Sequence, residues 1–255
     1  MARLSILSND EINLLYTIPS LCDEERHWLF ELDDEDTEYL SSLDGIGPKV
    51  NYILQLGYYR AVSYFFRFSF QQVKEDVAFI LKHYFPGSPF PKKGLSKHAH
   101  YQNRSQVCKK LDLKESDAEF TLQLTKEAKR LTKIHVLPKF ILTGLLSSCQ
   151  QKNVIKPAYS KFQDIVSNAL RFEQRRLSNT IYTEANQSIR NKLDNLLEHE
   201  DLLYNLTLLK RDQKNFSTTE IKKTIDKQQM VIDLYQESQT LMKKLNISEQ
   251  NIIYY

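Results

Sequence analysis

Between Val50 and Phe70, in the stretch VNYILQLGYYRAVSYFFRFSF, apolar side chains fall on almost every face of a helix. Eight of these residues are aromatic: Tyr52, Tyr58, Tyr59, Tyr64, Phe65, Phe66, Phe68 and Phe70. A helix that is apolar all round is a buried one. Pro48 suits its start, where the first N–H groups have no intrahelical partner to lose. The run is long enough to raise a membrane reading, but Arg60 and Arg67 stand inside it with Asn51 and Gln55. Arginine in mid-span is costly in lipid, so the pattern predicts the central pillar of an N-terminal helical domain.

Around that pillar the period stays helical. Ser8 and Glu11 have capping-box spacing ahead of Ile12, Leu14, Leu15 and Ile18, and Pro19 stops the run. A short helix is expected from about Asp23 to Phe30, burying Trp28 and Phe30. A third, DDEDTEYLSSL, opens with carboxylates that suit the positive end of the helix dipole. A further helix from about Gln72 to His83 presents Val73, Val77, Ile80 and Leu81 on one face. The segment YFPGSPFPKKG (84–94), with three prolines and two glycines, is a connector and the best candidate boundary.

Beyond it, Ser96 caps a basic helix, KHAHYQNRSQVCKKL, and Ser116 with Glu119 forms a capping box before a helix reaching about Thr132. Pro138 starts the helix KFILTGLLSSCQQ, and Lys156-Pro157 separates it from the amphipathic YSKFQDIVSNALRFEQRRLSNTIY. Helices through Leu193–Leu197, around Leu202–Leu209 and after the Ser217/Glu220 cap complete the chain. No alternating strand pattern and no internal repeat occurs. The expected fold class is all-α and multi-helical: two helical domains of helix-turn-helix type in tandem (1–90 and 91–200) and a helical extension (201–255).

Composition agrees with a folded, helical chain: 41% hydrophobic, 26% charged, with only 6 glycines and 7 prolines in 255 residues. Cys22, Cys108 and Cys149 are odd in number and widely spaced, as reduced thiols of a cytoplasmic protein are. No apolar signal segment precedes residue 20. Charge changes the picture more. The net +3 divides into 2 basic and 12 acidic residues over 1–45, 23 basic and 9 acidic over 46–180, and 10 basic and 11 acidic over 181–255. A block at +14 beside one at −10 points to a polyanion partner.

Two helices carry candidate contacts. In the pair Pro138–Gln151 and Tyr159–Arg176, joined by KNVIKPA, the second helix has an apolar stripe of Phe162, Ile165, Val166, Ala169, Leu170 and Leu177. Its opposite stripe reads Lys161, Asp164, Asn168, Arg171 and Arg175. Arginine and asparagine pair bidentately with guanine and adenine edges, and lysine neutralises phosphates, as a recognition helix in a major groove requires. On the helix Lys97–Leu111, the expected buried side is Tyr101, Cys108 and Leu111. Lys97 opens that helix, Gln102, Asn103, Gln106, Lys109 and Lys110 face outward, and Arg104 borders them. Each polar stripe also fits a plain solvated helix face.

Other chemistry is thin. The turn Leu40–Gly47 imitates a phosphate-holding helix-hairpin-helix, but the acidic helix before it would repel that phosphate. His98, His100 and Cys108 lack a fourth zinc ligand at finger spacing. No glycine-rich phosphate loop and no nucleophile motif is present. No catalytic residue, metal, cofactor, membrane or small-molecule substrate is expected.

Several segments together resemble the N-terminal region of the Tn-three family of replicative transposases: LSNDEINLLYTIPSLCDEERHWLFEL (7–32), ILQLGYYRAVSYF (53–65), HYQNRSQVCKKLDL (100–113), VIKPAYSKFQDIVSNA (154–169) and LDNLL (193–197). The resemblance implies helical DNA-binding domains that recognise the terminal inverted repeats of a transposon, in a bacterial cytoplasm. The family's catalytic RNase-H-like domain, with its acidic triad, lies further along the chain than residue 255. A second copy or the full-length transposase are the implied protein partners. The alternative is a helical protein-interaction or regulatory module derived from a truncated transposase. Aromatic density at 64–70 and acidity at 31–38 exceed what the family leads one to expect.

Overall fold

The computed structural model describes residues 3–92, 94–185, 187–200, 203–204, 207 and 215–254. The chain is all-α, and its residues cluster into two compact units, Met1–Ala128 with Pro138–Ser167, and Lys129–Leu137 with Asn168–Tyr255. No helix among the described residues is long and apolar enough to cross a membrane.

The first unit holds α1 (Asn9–Tyr16), α2 (Asp23–Leu29), α3 (Asp34–Ser42), α4 (Ile46–Val62), α5 (Lys74–Tyr84), α6 (Lys97–Lys110) and α8 (Pro138–Gln151). It also holds most of α7 (Ala118–Ile134) and the first turns of α9 (Tyr159–Glu184). Helix α4 is the expected pillar. Every residue from Val50 to Tyr58 is buried, and α1, α2, α5 and α6 lie against it. Gly57 is the point of closest approach: a Cβ there would stand 2.2 Å from the Phe30 ring. Phe30, fully buried, fills that notch.

The pillar is shorter than its sequence suggests. It ends at Ser63, which adopts a left-handed conformation (φ 52°), and the aromatic run continues as irregular chain. A helix would send Tyr64, Phe65, Phe66 and Phe68 to different faces. Leaving the helix lets Phe66 and Phe70 turn into the core while Tyr64 packs edge-on to Tyr16. Phe65 stays half-buried, tilted against Tyr59. A second correction concerns α2, where Trp28 is 72% exposed and only Leu29 is buried.

Polar groups cross this core in pairs. Tyr52 Oη donates to Asp36 Oδ1 (2.6 Å) and Tyr58 Oη to Asp76 Oδ2 (2.5 Å), while Arg26 Nε holds the other Asp76 oxygen at 2.7 Å. Burial is the chief reason that both tyrosine hydroxyls are held well above their usual pKa. A buried carboxylate needs such partners, because an isolated one is expensive to desolvate.

Most start signals hold. Ser8, Asp33, Ser96 and Ser217 cap α1, α3, α6 and α11 (Thr218–Leu245) through their side chains. At α7 the capping oxygen is Asp117 Oδ1, 2.7 Å from the Phe120 N–H, rather than Ser116.

The second unit contains the rest of α9, α10 (Gln187–Leu197), α11 and α12 (Glu249–Tyr254). Asn251 on α12 is fully buried. Its amide donates to Thr132 O (2.9 Å) and its Oδ1 accepts the Val136 N–H (2.7 Å). The helix expected around Leu202–Leu209 falls largely outside the described residues. Leu203–Tyr204, which are described, pair instead as a short antiparallel strand with His199–Glu200.

Candidate nucleic-acid interface

Helix α6 lies along α4, and that contact decides which of its polar groups are available. Asn103 faces inward and is 1% exposed, contrary to the outward face expected of it. Its amide donates to Pro48 O (2.8 Å) and Asn51 Oδ1 (3.1 Å), and its own Oδ1 accepts from Tyr39 Oη (3.1 Å). Gln55 extends the network to His100, its Nε2 standing 2.7 Å from Nδ1. An amide amid this many partners is a packing device of the α4–α6 crossing.

Lys110 is also engaged. Its side chain is buried, and its ammonium meets Asp33 Oδ2 at 2.5 Å and Asp36 Oδ2 at 2.7 Å. Burial works against that charge, but the two carboxylates outweigh it and hold Lys110 above the usual lysine range. In return, the hydrogen bond from Lys110 pulls Asp33 down to about 2. Arg104 pairs with Glu115 (2.5 Å) and lies 5.0 Å over the Phe65 ring. Gln106 is half-buried.

What remains in solvent on α6 is Lys97, Gln102 and Lys109, together with His98, Ser105 and Tyr101. Tyr101 is 69% exposed, so it belongs to this face and not to the buried side assigned from periodicity. The buried side is instead Asn103 and Val107, with Cys108 and Leu111 half-buried. An exposed tyrosine among lysines and glutamine combines a flat apolar face with charges and amides of the kind that meet phosphates and bases.

The connection Lys152–Ala158 between α8 and α9 is tied to the end of α6. Lys114 N donates to Asn153 O (2.8 Å) and Ile155 N to Lys114 O (3.0 Å), so two loops pair as a single parallel bridge. Lys156, read from sequence only as part of a break, anchors this connection from inside. Its ammonium donates to Leu15 O (2.8 Å) and Val62 O (2.7 Å), at the carboxyl ends of α1 and α4. A cation suits two helix C-termini, whose dipoles are negative there. The Tyr16 ring lies 4.8 Å from it, and burial pushes Lys156 down to about 8.

The first turns of α9 carry the N-terminal segment. Tyr159 Oη accepts from the Ile6 and Leu7 N–H groups, Gln163 Nε2 donates to Leu4 O (2.7 Å), and Arg3 meets Asp164 at 3.4 Å. Lys161 stays exposed between them. The predicted apolar stripe is buried at Phe162, Ile165, Val166, Ala169 and Leu177.

Further along α9, in the second unit, Asn168, Arg171 and Arg175 are all exposed and follow one another three and four residues apart on one face. Arg176, one position on, is different. It grips the buried Glu173 through two hydrogen bonds (2.9 and 2.7 Å) and donates to Leu245 O (2.8 Å). Beside Arg171, the half-exposed Phe172 ring carries Lys129 Nζ 4.1 Å above it. That pair adds a positive group which helical periodicity could not reveal.

Of the expected contact residues, the structure therefore leaves Lys97, Gln102, Lys109, Lys161, Asn168, Arg171 and Arg175 in solvent. It engages Asn103, Arg104 and Lys110 inside the protein.

No curated protein matches this sequence. A family model does match residues 6–169, a span that includes the α6 face and ends within α9 at Ala169. The chain thus belongs to the family described as a domain of unknown function, DUF4158.

Proposed function

We propose that this chain is a sequence-specific binder of double-stranded DNA. More narrowly, we read it as the end-recognition region of a Tn-three-type transposase, acting on transposon terminal inverted repeats in a bacterial cytoplasm. The observation that carries the reading is the exposed Asn168–Arg171–Arg175 stripe on α9. These residue types read adenine and guanine edges, and none of the three is drawn into the ion pair that engages Arg176 one position away. The α6 face, with Lys97, Gln102 and Lys109, supports the reading as a second, phosphate-directed surface. The resemblance of five sequence segments to the transposase N-terminal region supplies the narrower target.

Strand cleavage is not part of this role. The buried carboxylates Asp36 and Asp76 are engaged by Tyr52 and Lys110, and by Tyr58 and Arg26, in contacts that hold the core together. The test is selection of bound duplexes from a random pool, followed by incubation of the winners with the protein and Mg²⁺. One enriched motif and uncut DNA are expected. A pool that stays random after several rounds removes the specificity, and metal-dependent cutting lost on mutating a carboxylate of this chain removes the non-catalytic role.

A further inference from the structure

Phe172 stands within the exposed stripe of α9, four residues after Asn168 and three before Arg175. It belongs to neither pattern of that helix. The apolar stripe of Phe162, Ile165, Val166, Ala169 and Leu177 is buried, whereas Phe172 is 45% exposed on the polar side. Lys129, from α7 in the same unit, holds its ammonium 4.1 Å from the ring centre and covers one face. An aromatic face attracts a cation in that position, so the pair fixes where the ring stands. The rest of the ring is left in solvent between two side chains of the kind that read base edges.

We propose that Phe172 is a specificity-determining residue, its ring reading the C5-methyl group of a thymine in the major groove. The proposal rests on the reading of α9 as the base-contacting helix, and adds to it a base that hydrogen bonds alone do not select. Reach comes first. Residues four apart stand about 6 Å along a helix and about 40° round it. Phenylalanine is longer than asparagine, so a helix that brings the Asn168 amide to a base edge brings the Phe172 ring to the same groove floor.

Chemistry then selects the contact. In a duplex the base faces are stacked on one another, which leaves base edges and backbone open to a side chain. The major-groove edges carry donors and acceptors at every pair, and a single apolar group, the thymine methyl. A ring on that floor therefore gains by removing the methyl from water, and from no other group there. An exposed ring can also act as a wedge between bases, but wedges work from the minor groove. An undistorted minor groove is about 6 Å wide and does not admit a helix of about 10 Å diameter. Spacing places the thymine as well: about 6 Å is one or two base steps of roughly 3.4 Å from the base that Asn168 reads.

The experiment uses the intact chain and the duplex it selects from a random pool. Uracil replaces each thymine in turn, which removes the methyl and leaves the pairing edge unchanged. One position should weaken the parent about fourfold, the worth of one buried methylene-sized group. Phe172→Ala should bind the all-thymine duplex as weakly as the parent binds that uracil duplex, and should not tell the two apart. Arg171→Ala should bind both more weakly and keep the ratio between them. In a separate arm, 5-iodouracil puts iodine where the sensitive methyl was, and irradiation should crosslink the parent through the peptide that contains Phe172. That arm needs no variant, so it decides alone should Phe172→Ala misfold. A motif without an A·T pair, a uracil scan without effect, a uracil effect that survives in Phe172→Ala, or a crosslink elsewhere overturns the proposal and leaves base reading by α9 standing. A pool that yields no motif, or an Arg171→Ala variant that binds the motif like the parent, removes that reading and the proposal with it.

Discussion

Helix α6 turns Lys110 inward onto Asp33 and Asp36 and holds Arg104 against Glu115, whereas α9 leaves Arg171 and Arg175 in solvent and engages only Arg176. The two helices look alike as strings of basic and amide residues. They differ in what lies beside them. Helix α6 packs into the unit that contains the acidic segment 1–45, and part of the +14 block is neutralised there before any partner arrives. Along α9 from 168 to 175 the acidic group is Glu173, and Arg176 takes it. Formal charge counts how many basic groups a chain has. Packing decides how many of them a phosphate can reach.

That contrast is most sharply broken or upheld by stability. Lys110→Ala leaves the buried Asp36 carboxylate without a cation, held by the Tyr52 hydroxyl and the Asp33 N–H, and should destabilise by about 3–5 kcal/mol. Its neighbour Lys109→Ala, on the exposed side, should stay within about 0.5 kcal/mol. Urea unfolding of the two variants measures both. If they lose equal stability, the inward and outward assignment on α6 is wrong.

The next effect is on binding. Arg171→Ala should cost about 1–3 kcal/mol on the selected duplex and much less on a scrambled one. Equal losses on the two duplexes would make α9 a phosphate clamp. Replacing Lys97 and Lys109 together should weaken both duplexes alike and lower the salt dependence by about one unit per lost phosphate contact. A selective loss on the chosen duplex would instead assign base reading to α6.

The smallest expected effect is at low pH. Lys110 holds the Asp33 carboxyl at about 2, below the value near 3.9 of an unfolded chain. A depressed carboxyl contributes stability that is present above pH 4 and is lost as pH falls toward 2. Asp33 is more than half exposed, so solvent screening keeps the contribution below about 1 kcal/mol. Urea midpoints at pH 5, 3 and 2 should show this loss in the parent and a smaller one in Lys110→Ala.

The helices themselves were legible in the sequence. Capping signals at Ser8, Ser96 and Ser217 and apolar periodicity at Phe162–Leu177 act within a few turns of chain, and those readings agree with the structure. What escaped depends on partners far away in sequence. Lys110 bonds Asp33 across 77 positions, Asn103 bonds Asn51 across 52, and Lys156 bonds Leu15 across 141. Periodicity treats lysine and asparagine as outward-facing because it cannot see a distant acceptor. The same blindness puts Trp28 and Tyr101 inside, whereas both rings stand in solvent, 72% and 69% exposed. The aromatic run misled differently: it recorded that the segment is buried, but not that Ser63 breaks the helix to bury it.

The central claim is most directly tested by the salt dependence of the intact chain's binding to its selected duplex and to a scrambled control. Fluorescence anisotropy over a range from roughly 50 to 200 mM salt gives both slopes. The account predicts that log K falls steeply and linearly with log salt on both duplexes, while the selected one stays tighter at every salt concentration. A chain that binds neither duplex, or binds with affinity indifferent to salt, contradicts it.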